Sequence, residues 1–327
     1  MTVRRTDSVD DLVARAREGQ ARAVGRLISL VEDAQVGPGR EQLREVMSRL
    51  APHSGGAQVV GITGAPGVGK STSTSALVGE LRSRGLRVGV LAIDPSSPFS
   101  GGALLGDRIR MSEHATDPAV FIRSMAARGH LGGLSWATPQ AVRVLDAAGY
   151  DVILVETVGV GQSEVEIAGR ADSTIVLLAP GMGDGIQAAK AGILEIGDVY
   201  VVNKADRDGA RQVRRDLRNM LSLAERPEGA WRPSVLMTTA TDRTGTDEVV
   251  DALAAHFTHL TDSGELTRRR VRRTREEVEA IALTTLRERW GELGTDDVEE
   301  LAAAVVAGET DPYAAADRLL AESGLKD

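Results

Sequence analysis

The chain has 327 residues, 42% of them hydrophobic and 26% charged, with a net charge of -8; that supports a sizeable core and gives no global attraction to nucleic acid or an anionic membrane. No apolar run approaches the roughly 20 residues needed to span a bilayer, and the polar start Met1–Asp7 does not read as an export signal. Cysteine is absent, which excludes disulfides and thiolate metal sites and fits a reducing cytoplasm.

The first 56 residues predict a helical extension. Ser8-Val9-Asp10-Asp11 reads as a capped helix start, with Val9, Leu12, Val13 and Ala16 on one face and Gly19 as its stop. A second apolar set is Val24, Leu27, Ile28 and Val31, and a third is Leu43, Val46, Met47 and Leu50. Pro52, Ser54, Gly55 and Gly56 break the periodicity and read as a linker. Residues 57–262 then predict the main domain. Seven short apolar runs, Val59–Ile62, Val88–Ile93, Ala119–Ile122, Val152–Val155, Thr174–Leu178, Val199–Val202 and Val235–Met237, alternate with helical stretches. Each run is continuous rather than alternating, as expected of strands covered on both faces, so the fold class is α/β with a doubly wound, mostly parallel sheet. Residues 263–327 predict a helical C-terminal arm. It begins with a long helix whose apolar set is Val271, Val278, Ile281, Ala282, Leu286 and Trp290, followed by helices over 296–307 and 311–322.

The chemistry concentrates where runs end. Gly64-Ala65-Pro66-Gly67-Val68-Gly69-Lys70-Ser71 matches the P-loop pattern, after a strand and opening a helix. Its backbone N–H groups and helix dipole suit phosphates, Lys70 would reach the β- and γ-phosphates, and Ser71 would ligate Mg2+, with Thr72 next in the helix. Asn203-Lys204-Ala205-Asp206 has the form of a guanine-recognition motif, since a carboxylate at 206 can accept the N–H pair that guanine has and adenine lacks. Asn203 would brace the loop and the Lys204 stem would lie along the base. Thr239-Ala240, after a later strand, marks a further base-contacting loop, on a weaker signal. Asp94 and Glu156 end neighbouring runs, where one or two carboxylates complete a magnesium site on a nucleotide. Either acid alone would more often be a helix cap; beside a P-loop the metal reading is preferred.

On these stretches, with Asp94–Met111, Glu156–Glu164 and Gly183–Gly192, the chain resembles the methylmalonyl-CoA mutase-associated GTPases, the MeaB/ArgK-like family homologous to the human methylmalonic aciduria type A protein. The resemblance implies a P-loop GTPase. Its role would be that of a chaperone coupling GTP binding and hydrolysis to adenosylcobalamin loading and protection of the mutase. It implies a homodimer formed largely through the C-terminal helices, GTP or GDP with Mg2+ as bound groups, and Asp94, Asp107 and Glu156 in the magnesium and switch network. It also implies a third switch over 183–190, with Asp184 and Lys190 responding to partner and nucleotide. The pattern departs at Gly185-Ile186, where an acidic residue and a leucine are usual. On its helix-like run alone Lys190 reads as a solvated surface lysine; the rarity of lysine in the chain and the resemblance give the functional reading equal weight. Arg108 reads either as a phosphate contact or as a partner of Glu113. Gln162 does not occupy the water-positioning place of small GTPases, so slow intrinsic hydrolysis is expected, raised when a partner orders the switches. The run Arg268–Arg275 lacks aromatic interleaving and is followed by Glu276, Glu277 and Glu279, so it reads as a solvated or partner-facing helix rather than a nucleic-acid site. His256 and His259 share a helix face and read as surface residues. Two rival readings remain: a metallochaperone GTPase, disfavoured by the missing cysteines, and an ATPase or kinase tied to amino-acid transport, disfavoured by Asn203–Asp206.

Overall fold

The computed structural model describes residues 8–33, 39–95, 111–127, 137–157, 163–181, 194–293 and 295–322. All seven apolar runs form strands: β1 (Gln58–Gly64), β2 (Val88–Pro95), β3 (Val120–Ala127), β4 (Val152–Thr157), β5 (Ser173–Leu178), β6 (Val199–Val202) and β7 (Ser234–Met237). They pair throughout in parallel, in the order β3-β2-β4-β1-β5-β6-β7. The central strands β1, β4, β5 and β6 are almost wholly buried, and only β3 and β7, at the two edges, are mostly half-buried. Continuous apolar runs thus mark strands sandwiched between helix layers.

Both faces are covered. On one, α4 (Lys70–Ser83) and α8 (Thr246–Asp262) pack Leu77, Val78, Leu81, Val249, Val250 and Leu253 against Val60, Ile62, Leu154 and Ile175. On the other, α5 (Thr138–Ala147) and α6 (Ser163–Arg170) pack beside α1 (Val9–Arg17), α2 (Ala21–Asp33) and α3 (Arg40–Leu50). Farther along, α7 (Ala210–Ser222) covers Tyr200 and Val202. The N-terminal helices therefore share a core with the sheet. The Ser8 side chain caps α1 by accepting the Asp11 N–H at 3.1 Å. The glycine-containing linker is also anchored: the Asp146 carboxylate accepts the N–H groups of Gly55, Gly56 and Ala57. Three charge-assisted bonds hold the chain as it enters β1.

The chain divides into two compact units, Met1–Leu266 and Thr267–Asp327. The second contains most of α9 (Glu265–Leu293) together with α10 (Thr295–Val306) and α11 (Pro312–Glu322), which starts on a proline that needs no N–H partner there. Leu301 of α10 and Ala315 of α11 are buried, whereas Val271, Val278 and Leu283 of α9 are 62%, 60% and 56% exposed.

Candidate functional site

The site is built at the carboxyl ends of β1, β4 and β6, where parallel α/β sheets place their ligands. At the end of β1 the backbone turns through conformations that exclude side chains. Gly64 has φ +144, and a Cβ there would lie 2.3 Å from the Leu177 carbonyl oxygen of β5. Gly69 has φ +97, and a Cβ there would lie 2.5 Å from Asn203 Nδ2. Lys70 folds back over the loop that precedes it, its Nζ donating to the carbonyls of Gly64 at 2.6 Å and Ala65 at 3.2 Å. A nearly buried ammonium is thereby held within the turn. Pro66, Gly67 and Thr72 are exposed, while Val68 is buried beneath them.

Asn203 joins three loops. Its Nδ2 donates to the Val68 carbonyl at 2.9 Å, and its Oδ1 accepts the Ala240 N–H at 3.1 Å and the Thr238 hydroxyl at 3.2 Å. The side chain is 3% exposed, so these bonds satisfy an amide that would otherwise be costly to bury. Lys204 has a left-handed backbone, φ 57, and its Nζ donates to the Gly67 carbonyl at 2.7 Å. Ala205 N–H bonds the Thr238 carbonyl at 3.0 Å, and Asp206 is exposed beyond it. Thr239 pairs with Thr244 across the next loop. That loop is tied outward: Arg243, also left-handed at φ 64, donates through Nη2 to Glu113 Oε2 at 3.0 Å. The Ser75 hydroxyl donates to the other oxygen of Glu113. This bond, with His114 and Arg243 nearby, holds the Glu113 carboxyl below the usual carboxylate range. Glu113 thus pairs with Arg243.

At the end of β4, Glu156 is 4% exposed and accepts two hydroxyls from α4, Ser71 at 2.7 Å on Oε1 and Thr74 at 2.9 Å on Oε2. The Ser71 hydroxyl and the Glu156 carboxylate are hard oxygen donors beside the P-loop. That is a fitting donor pair for Mg2+, which keeps waters and phosphate oxygens as its remaining ligands. No group of three or more His, Cys, Asp or Glu residues among the described residues could hold a metal by itself. On β2 the Glu156 partner is Ala92, which puts Asp94 two residues farther along the neighbouring strand, at the same edge of the sheet. Asp107, Asp184, Lys190, Arg108 and Gln162 lie outside the described residues.

One reading from sequence is corrected. His256 is not on the surface: it is fully buried, Nδ1 lying 2.9 Å from Ser173 Oγ and Nε2 3.3 Å from Asp198 Oδ1, with the Trp231 ring 4.8 Å away. Trp231 Nε1 donates to the Asp198 carbonyl at 2.8 Å. The helix-face pattern could not show that this face of α8 meets the amino-terminal ends of β5 and β6, the edge opposite the P-loop. The Ser75–Glu113–Arg243 cluster also had no signal in the sequence, because it joins segments 38 and 130 residues apart.

A family model described as "Methylmalonyl Co-A mutase-associated GTPase MeaB" matches residues 24–293. A Pyrococcus abyssi protein named as a GTPase is 47% identical over 96% of both chains. GTPase ArgK of Escherichia coli is 40% identical over 78% of this chain and 77% of its own. The Caenorhabditis elegans methylmalonic aciduria type A homolog is 40% identical over 64% of this chain and 54% of its own. Among solved structures, one titled as a LAO/AO transport system kinase superposes with a TM-score of 0.69 at 27% identity, covering 97% of this chain and 98% of that one.

Proposed function

Because the chain belongs to the family of methylmalonyl Co-A mutase-associated GTPases, we propose that it is a GTP-binding and GTP-hydrolysing chaperone of an adenosylcobalamin-dependent methylmalonyl-CoA mutase. The observation that carries the nucleotide part is Asn203. Its one amide seats the 203–206 loop against both the P-loop and the 238–240 loop, so phosphate-side and base-side elements have a fixed mutual geometry. In this reading the N–H groups over Gly64–Thr72, including those of Ala65, Gly67, Val68 and Gly69, cradle the phosphates beside Pro66. Asp206 accepts the guanine N–H pair, the Lys204 stem flanks the base, and Thr239 and Ala240 close the pocket on its far side.

Ser71 and Glu156, with Asp94 and Asp107 by family resemblance, hold Mg2+, which when bound supplies charge neutralisation across the phosphates. Lys70 exchanges the two carbonyls it now bonds for phosphate oxygens and stabilises the charge that develops as water attacks the γ-phosphate in line. Catalysis of this kind rests on positioning and electrostatics. Asp107 and Lys190 are assigned to switch segments that order on the client, giving slow intrinsic turnover that the mutase raises.

Residues 1–56, 57–262 and 263–327 are assigned as helical extension, GTPase domain and dimerisation arm. The exposed Val271, Val278 and Leu283 on α9 suit burial against a second copy. No described helix is long and apolar enough to cross a membrane, and we place the protein in the cytoplasm, with neither nucleic acid nor membrane as a partner.

Calorimetric titration with GDP and ADP tests the base assignment. GDP should bind more tightly by at least about 100-fold, because adenine lacks the N–H pair that the Asp206 carboxylate accepts, and Asp206→Asn should erase most of that margin. Equal affinity for the two nucleotides would reject the guanine reading in favour of an ATP-dependent activity.

A further inference from the structure

Thr74 is fully buried in the second turn of α4, between the buried Ser73 and Ser75 and just ahead of the apolar Ala76, Leu77 and Val78. A β-branched polar residue has no helix-propensity advantage there, and an apolar side chain of the same shape would meet no desolvation cost. Its hydroxyl lies 3.0 Å from the Lys70 carbonyl and 2.9 Å from Glu156 Oε2. One hydroxyl proton serves one of these acceptors at a time, and the carboxylate is the stronger. Ser71 and Thr74, three residues apart on one helix face, thus grip the two oxygens of the same carboxylate.

The terminal torsion of a glutamate is soft and nearly two-fold. A carboxylate held at Oε1 alone could swing about that contact. Held at both oxygens, it keeps Oε1 turned toward the Ser71 hydroxyl. We infer that Thr74 is a positioning residue for the divalent cation: its hydroxyl fixes Glu156 so that Ser71 and Glu156 present oxygen donors in a preorganised arrangement. This rests on the assignment of Mg2+ to Ser71 and Glu156 above. It adds a role for a residue beyond the GKS signature, one that touches neither nucleotide nor metal.

The test separates metal-dependent from metal-independent affinity. Dissociation constants of a fluorescent GDP analogue are measured in excess Mg2+ and in excess EDTA, and their ratio gives the metal's contribution. For Thr74→Val the ratio should fall by about tenfold or more, the worth of a hydrogen bond to a charged group, with the affinity in EDTA unchanged. Thr74→Ser should restore the wild-type ratio. Thr74→Ala, which removes the hydroxyl without setting a methyl against the carboxylate, is measured alongside in case the valine variant does not fold. An unchanged ratio in the valine or alanine variant would overturn the inference, as would equal losses in Mg2+ and EDTA. A wild-type ratio near one would strike down the magnesium assignment itself and the inference with it.

Discussion

Replacing Asn203 by alanine should destabilise the protein and weaken nucleotide binding together. The substitution removes a donor from the Val68 carbonyl and an acceptor from both the Ala240 N–H and the Thr238 hydroxyl. Val68, Thr238 and Ala240 are 1%, 4% and 7% exposed, so water reaches the abandoned groups poorly. The Thr238 hydroxyl can rotate to another acceptor, but the two backbone groups cannot move without the loops. At about 1–3 kcal/mol for each buried group left unpaired, the loss should come to about 3 kcal/mol. Urea denaturation would show this as a lower midpoint with an unchanged slope. GDP affinity should fall by at least about tenfold, because the loops are no longer preorganised. Asn203→Asp refines the test. It retains the acceptor for Ala240 and Thr238 but sets a carboxylate against the Val68 carbonyl. The charged form is disfavoured there, so the destabilisation should grow as pH rises through the carboxylate range. An alanine variant with unchanged midpoint and GDP affinity would refute the claim that this amide organises the site.

Four further substitutions probe separate parts of the account. Lys70→Ala should abolish GTP hydrolysis in a steady-state phosphate-release assay; normal turnover would remove the P-loop assignment. Gly64→Ala should cost about 2–4 kcal/mol from the forced backbone and the clash with Leu177, whereas Gly67→Ala should cost about 1–2 kcal/mol from its left-handed φ alone, since nothing lies within 4 Å of a Cβ there. Comparable thermal shifts for the two variants would contradict that geometry. Arg243→Ala should cost no more than about 1 kcal/mol near neutral pH, as its pair with Glu113 is half exposed. The Glu113 pKa is lowered by folding, so its stabilisation is present above the unfolded carboxylate value and lost as pH falls through the lowered one. The gap between wild type and Arg243→Ala should therefore close in acid, and a gap that widens there would reject the pairing.

The sheet was readable because its strands are brief, β-branched and buried on both faces, a pattern carried by consecutive residues. The segments 64–71 and 203–206 stood out as candidates for a related reason: each is a pattern of four to eight adjacent positions. What sequence could not show is how those segments meet. Asn203 reaches Val68 across 135 residues and Thr74 reaches Glu156 across 82, and neither link leaves a local periodicity. Asp146 reads as one more polar residue of α5 until its carboxylate is found on the linker before β1. His256 failed in the opposite direction. Its helical spacing fitted a solvent face, but Trp231, Asp198 and Ser173 come from distant segments to bury it. Polar residues are the hardest to place from sequence, because burial is open to them only where partners arrive from elsewhere.

The most direct test of the central claim is GTP hydrolysis by the purified protein, with and without the methylmalonyl-CoA mutase of the same organism. The account predicts slow turnover alone, clear acceleration on adding the mutase, and a complex of the two proteins that survives gel filtration. Rapid turnover without the mutase, or no acceleration and no complex with it, would contradict the assignment of that enzyme as the client.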